Sequence, residues 1–389
     1  MSEFYELVGR LCPSGVEFRP LHELVDYEQP GKYLVSTKSY SDSFSTPVLT
    51  AGQSFVLGYS DEVDGVYLAS PDSAVVIFDD FTTSFKWVDF PFKAKSSAMK
   101  MLTPTDRGLA SLKYIYYAMQ TIPYAPQDHA RQWIGIYSHF RIPVPPLEVQ
   151  REIVRILDRF TELEAELQAE LQARRRQYAG YRDSLVAAVN GQRVAMGELG
   201  TFTRGRRFTK SDVVESGIPS LHYGEIYTDY GVSASRAIRE VNENLFAQLR
   251  FAQPGAVVFA GVGETVVDVG KAVAWLGDGP VAVHDDTFSF SSSLNPKYVA
   301  YAVQTDDFHA QKANHVARGK VKRLSAAGLS KIKIPVPGAD EQARIVSILD
   351  CFDALINDPE IGIPAELTAR RKQYAHYRDK LLAFEEAAV

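Results

Sequence analysis

The sequence predicts an α+β fold: two mixed α/β globular domains joined by two long antiparallel, coiled-coil-like helices, with internal pseudo-twofold symmetry. Three observations carry this. Glu170–Leu185 and Glu366–Leu381 share 12 identities in 16 positions at an offset of 196. Ile142–Phe160 and Ile334–Phe352 share 11 in 19 at an offset of 192. Between these charged, helix-period stretches lie segments with short β-branched and aromatic runs broken by Gly, Asp and Pro.

Taken in order, the first domain covers 1–141 and the central repeated helix 142–189. The second domain covers 190–333, the distal repeated helix 334–384, and 385–389 is a tail. Within the domains, Ala74–Phe78 (AVVIF) and Ala256–Phe259 (AVVF) read as strands, and Pro254-Gly255 as a turn. Lys113–Thr121 (KYIYYAMQT) matches Lys297–Thr305 (KYVAYAVQT) in 6 of 9 positions at an offset of 184, and both read as amphipathic helices. Glu23-Leu24 recurs as Glu198-Leu199 at an offset of 175. The growing offset means one unit was doubled and the second copy is longer at several places.

The central helix starts after Pro145-Pro146, and its apolar stripe runs through Ile153, Leu157, Phe160, Leu163, Leu167 and Leu171 to Tyr178, Tyr181 and Leu185. Its 39 residues from Leu147 to Leu185 span roughly 58 Å at ~1.5 Å each. A stripe that long needs a partner helix, and the second copy is the economical one. In that copy Asp358-Pro359, Gly362 and Pro364 break or kink the helix near its middle.

Composition bounds the function. With 389 residues, 46% hydrophobic and 23% charged, the chain has the make-up of a globular protein with more than one core. No apolar run is long enough for a membrane span, and the acidic start MSEFYELVGR lacks the form of a secretory signal, so a cytoplasmic location is expected. Cys12 and Cys351 have neither disulfide-framework nor zinc spacing. The net charge of −6 hides local basic clusters: Arg204, Arg206, Arg207 and Lys210, then Lys320, Lys322 and Arg323.

The two IPVP…Q…IV.ILD.F entrances and the two ARR.QYA.YRD.L exits resemble the DNA-specificity subunit of type I restriction–modification systems, over essentially the whole chain. His222–Gly231 (HYGEIYTDYG) and Ala317–Pro337 are similar to that family's recognition domains; Thr46–Tyr59 and Ile77–Phe90 are similar to another subtype. The resemblance implies two target-recognition domains, each reading one half of a bipartite double-stranded DNA target. It also implies helices that space the half-sites and dock two methyltransferase subunits, with motor-nuclease subunits joining for restriction.

For DNA contact the candidates in the second domain are Arg204, Arg206, Arg207, Lys210, Tyr223, Lys320, Lys322 and Arg323. In the first they are Lys38, Tyr40, Lys86, Lys93, Lys95, Lys100, Arg131 and Gln132. Arg and Lys hold phosphates, and an Arg fork matches a guanine edge. Arg174, Arg175, Arg176, Arg370, Arg371 and Lys372 are candidates for partner docking, ahead of contact with the backbone of the spacer DNA; Tyr178, Tyr181, Tyr374 and Tyr377 seal the inter-helix core or a partner interface.

No catalytic role, cofactor or metal is expected. Asn295-Pro296-Lys297-Tyr298 resembles an adenine-methyltransferase loop only loosely, and a plain helix start explains it better. There is no Asp-x-Lys or Glu-x-Lys triplet and no GxxxxGK[ST] loop. His284-Asp285-Asp286 reads as a polar strand-end turn. A stand-alone DNA-binding repressor and a structural connector are the alternatives; the first leaves the duplicated helix unexplained and the second leaves the basic loops unexplained.

Overall fold

Doubling of the sequence reappears as doubling of the sheets. The computed structural model describes residues 2–52, 54–188, 191–317 and 319–388. The domain limits set at 1, 189, 190 and 389 fall outside these, as do Gln53 and Arg318 in the motif stretches. By internal contacts the chain forms two units: Met1–Glu166 with Thr368–Val389, and Leu167–Leu367. Each unit therefore holds parts of both repeated helices.

In the first unit Glu17–Pro20 pairs antiparallel with Arg141–Val144, so the repeated IPVP is a strand and the helix begins at Leu147. The main sheet has the order Val25–Glu28, Met99–Pro104, Val75–Asp79, Phe85–Val88, all antiparallel. A smaller sheet joins Val56–Ser60, Thr46–Leu49 and Lys93–Ala94. Helix Leu112–Met119 is capped by the Ser111 side chain and buries six of its eight residues, leaving Lys113 and Tyr116 as a narrow half-exposed face.

In the second unit Gln192–Ala195 pairs with Lys333–Val336 in the same way. Its main sheet runs Gly200–Arg204, Thr287–Ser292, Val257–Ala260, Ala272–Trp275, with Ser233–Ala234 added at the edge. The four shared strands follow the same order and register. Tyr27 faces Leu102, which faces Val76; Phe202 faces Phe290, which faces Val257. A second sheet (Val213–Val214, Arg239–Val241, Ile218–Leu221, Val281–Val283, Phe251–Ala252) and a small one (Val262–Gly263, Lys322–Leu324, Val316–Ala317) complete this unit.

The seat of each sheet on its helix is also repeated. Tyr114 Oη donates to the Pro143 carbonyl at 2.7 Å, and Tyr298 Oη to that of Pro335 at 2.9 Å. Asp158 accepts from the Tyr117 hydroxyl and faces Lys113; Asp350 accepts from Tyr301 at 2.6 Å and Lys297 at 2.7 Å. Buried Gln150 and Gln342 bond backbone groups on both sides of the junction.

The central helix runs unbroken over 41 residues, Leu147–Ala187. The distal copy divides into Ala339–Asn357 and Ile363–Leu381. In the first unit the two copies pack antiparallel. Glu164 pairs with Arg371 at 2.7 Å, Phe160 stacks on Tyr377, and Leu381 lies in the core with Ile153 and Leu157. At the break a Cβ on Gly362 would stand 2.5 Å from the Ala354 carbonyl oxygen, so only glycine fits there. No helix among the described residues is long and apolar enough to cross a membrane.

Candidate nucleic-acid interface

Backbone bonds in the second unit gather distant basic residues at one end of its sheets. Gly205 N–H donates to Thr287 O and Arg206 N–H to Val283 O, laying the arginine stretch along the Val283–Thr287 turn. His284 N–H bonds Leu221 O on the other side, and Val283 N–H bonds Arg250 O. Gly261 N–H reaches Asp286 O, and Leu324 N–H reaches Gly261 O, which brings in Lys322 and Arg323. The close approach needs a glycine: a Cβ on Gly205 would lie 2.1 Å from Val283 O and 2.2 Å from His284 O.

The result is a basic rim around an open cleft of about 230 Å³ lined by Arg204, Asp285, Asp286, His315 and Arg323. Arg204 Nε donates to Asp285 O at 2.6 Å, and Arg323 pairs with Asp286 at 3.2 Å. Arg206, Arg207, Lys210 and Lys320 are exposed, while Lys322 is half-buried and donates to Gly319 O. Tyr223 is half-buried, with its ring 4.4 Å from that of His222. Two rim arginines were missed in the sequence. Arg250 donates to Arg204 O at 2.9 Å, and Arg239 pairs with Glu225 at 2.7 Å. Arg250 has no basic residue within ten positions and Arg239 has only Arg236 nearby, so no dense cluster marks either.

Two imidazoles lie beneath this rim, His222 and His284, 4.4 Å apart. Burial, then the neighbouring His284, holds His222 down at about 4, and burial also lowers His284. Both are neutral at pH 7, and His222 Nδ1 accepts from Gly224 N–H as a helix cap. His284, Asp285 and Asp286 do come together as a possible ligand trio. Asp285 faces Arg204 and Asp286 faces Arg323, so those carboxylates already have cationic partners.

The first unit gathers fewer of its candidates. Lys95 Nζ donates to Tyr40 Oη at 2.9 Å, with Lys38 exposed two residues away; Lys86 is half-buried on strand Phe85–Val88. Arg131 is exposed and stands 3.9 Å from Asp80. Three candidates are corrected. Lys93 is buried against Glu62 and the Asp64 carbonyl, and Lys100 is 1% exposed beside Asp80. Gln132, also 1% exposed, bonds Tyr124, Asp128 and Ala130. None of the three side chains reaches the surface, where a phosphate would be; a desolvated ammonium stays with its carboxylate.

On the repeated helices, Arg175, Arg176 and Lys372 are exposed. Arg174 pairs with Glu170, Arg370 bonds Gln373, and Arg371 pairs with Glu164. Tyr178 is buried, Tyr374 donates to Gln120, Tyr377 stacks on Phe160 and Tyr181 on Phe352. Of the two places the sequence allows for Tyr178, the inter-helix core is the one it occupies, so it is not a partner-facing residue.

Two sheet units of one plan, one with a basic rim, each seated on a duplicated helix, define a DNA-recognition subunit built by internal duplication. The family model for the type I restriction modification DNA specificity domain matches residues 13–173 and 264–369. The EcoR124I/EcoR124II type I restriction enzyme specificity subunit of Escherichia coli is 40% identical over 99% of this chain and 98% of its own. A putative type I restriction enzyme specificity subunit of Haemophilus influenzae is 28% identical over 95% and 96%. Among solved structures, one from a study of assembly and conformational transition of the type I R-M system superposes with a TM-score of 0.56. It is 15% identical and covers 94% of this chain and 99% of that one, a likeness of fold. The chain belongs to the type I restriction–modification DNA-specificity family. Its role is DNA recognition within that complex and is non-catalytic; the free-standing repressor finds no support.

Proposed function

We propose that each unit reads one half of a split, non-palindromic DNA target, and that the repeated helices set the half-site spacing and dock two methyltransferase subunits. Methylation belongs to those subunits, and motor-nuclease subunits join for restriction, all in the cytoplasm. The supporting observation is the shared strand order and register of the two main sheets. Equivalent frames offer equivalent poses to two grooves, while unlike loops make the halves differ. The domain limits 1–141, 142–189, 190–333 and 334–384 serve as the functional modules.

In the second domain the DNA-facing set is Arg204, Arg206, Arg207, Lys210, Tyr223, Lys320, Lys322 and Arg323, with Arg239 and Arg250 added. In the first it is Lys38, Tyr40, Lys86, Lys95 and Arg131. Arg174, Arg175, Arg176, Arg370 and Lys372 face a methyltransferase.

The test is to co-express the chain with its cognate methyltransferase in a methylation-free host and sequence modified bases genome-wide. A split motif with unlike halves and one fixed spacer is expected; absence of methylation despite a stable complex would refute the reading. The helix carries AELQ twice in tandem, Ala165–Gln168 and Ala169–Gln172. One more unit adds ~6 Å and only ~40° of rotation. That insertion should lengthen the spacer, and an unchanged spacer would defeat the ruler.

A further inference from the structure

The matched sheets allow a residue-by-residue comparison that the sequence alone does not. At the end of the first unit's middle strand, Asp80 N–H donates to Ala98 O at 3.0 Å, and Asp80 O accepts from Gln132 N–H at 2.8 Å. In the second unit Gly261 N–H donates to Asp286 O at 2.8 Å, and Gly261 O accepts from Leu324 N–H at 2.9 Å. These bonds superimpose Asp80 on Gly261, Ala98 on Asp286 and Gln132 on Leu324. The residue before the last pair is Arg131 in one unit and Arg323 in the other, again 192 apart.

Each of these arginines is more than half exposed and stands near one aspartate: Arg323 donates to Asp286 at 3.2 Å, while Arg131 lies 3.9 Å from Asp80, whose carboxylate is already paired with buried Lys100 at 3.2 Å. The aspartates are not equivalent. In each unit the aspartate stands on a different member of the same hydrogen-bonded backbone pair, with a small residue, Ala98 or Gly261, on the other. Two unrelated positions thus place a carboxylate beside the equivalent arginine. A pair with so exposed an arginine contributes little to stability, so stability does not account for its recurrence. Orientation does: the Asp286 carboxylate, bonded to one edge of the Arg323 guanidinium, leaves its other donors free for a ligand and reduces the rotamer freedom lost on binding, and the charge of Asp80 biases Arg131 to the equivalent place.

We infer that Arg131 and Arg323 are equivalent reading heads, Arg323 held by Asp286 as a positioning residue and Arg131 set beside Asp80, each reading one G·C pair, one in each half of the target. This rests on the split-target reading above. A guanine presents O6 and N7 as paired acceptors in the major groove, and the free edge of an arginine fork matches them.

The test uses the complete complex with its methyltransferase, carrying Arg131→Gln, Arg323→Gln or Asp286→Asn, with assembly checked by size exclusion. The wild-type motif is determined first; if it is not split, the underlying reading fails and this inference fails with it. Given a split motif, Arg131→Gln should make one G·C position in one half degenerate, and Arg323→Gln one in the other half. Discrimination there should fall roughly 5- to 150-fold, with the spacer unchanged. Asp286→Asn should weaken the same position as Arg323→Gln, and by less. Unchanged motifs, degeneracy at an A·T position, or a uniform loss of methylation with the motif intact would each overturn the inference, the last marking phosphate contacts.

Discussion

Replacing Gln150 by Met tests whether the seat of the first sheet is held by one side-chain amide. Gln150 is fully buried, and Met preserves its length and volume while removing every polar atom. Its Oε1 accepts from Ser111 N–H at 3.0 Å, and its Nε2 donates to Leu109 O at 2.9 Å and Pro145 O at 2.8 Å. Three backbone groups lose their partner at about 1 kcal/mol each, for a total of about 3 kcal/mol. With a urea m-value of about 2 kcal/mol/M, the midpoint falls by about 1.5 M. Tryptophan fluorescence in a Trp275→Phe background follows Trp87 and Trp133, both in the first unit. Hydrogen exchange should show the Ser111 amide losing protection. The twin, Gln342, makes two such bonds, to Asn295 N–H and Pro337 O, so Gln342→Met should cost about 2 kcal/mol. A Gln150→Met midpoint within 0.3 M of wild type, which is about 0.6 kcal/mol, would refute the clip.

Other perturbations have defined outcomes. Gly205→Ala forces a Cβ against two carbonyl oxygens at 2.1 and 2.2 Å, so thermal unfolding should show a loss of more than ~2 kcal/mol and the second half-site should lose affinity. Gly362→Ala puts a methyl group 2.5 Å from the Ala354 carbonyl oxygen; helicity by circular dichroism should fall as the end of Ala339–Asn357 unwinds. His222 titrates at about 4 in the fold, below its ordinary 6.5. The unfolded chain binds that proton more tightly, so the stability is complete above about 6.5 and drains away as pH falls toward 4. His222→Asn keeps an acceptor for the Gly224 amide and should reduce the slope between those values, with His309, also held at about 4, keeping its share; an unchanged slope would contradict the assignment.

How much of this the sequence carries depends on what repeats. The helices were legible because their charged faces and core tyrosines are spelled alike, and the break at Asp358–Gly362 because proline and glycine act locally. The equivalence of the sheets was not. Tyr27, Leu102 and Val76 become Phe202, Phe290 and Val257, and apolar exchange within one register leaves almost no identity to detect. Basic residues were read by their type and place in the chain, which says nothing about depth. Lys93 and Lys100 therefore entered the candidate surface although their amines lie beside Glu62 and Asp80. Arg239 and Arg250 stayed out because only the fold brings them to the rim.

The repeated seats carry a consequence for how such a chain changes over generations. Tyr114 and Tyr298, Gln150 and Gln342, and the Asp158 and Asp350 clasps all engage their neighbours in one pattern. A reading module thus ends in a standard plug, and the helix offers a standard socket. Genetic exchange within the repeated stretches would import a foreign module whose fittings already match. New target specificity becomes a matter of shuffling whole cassettes, with no need to re-engineer the joint.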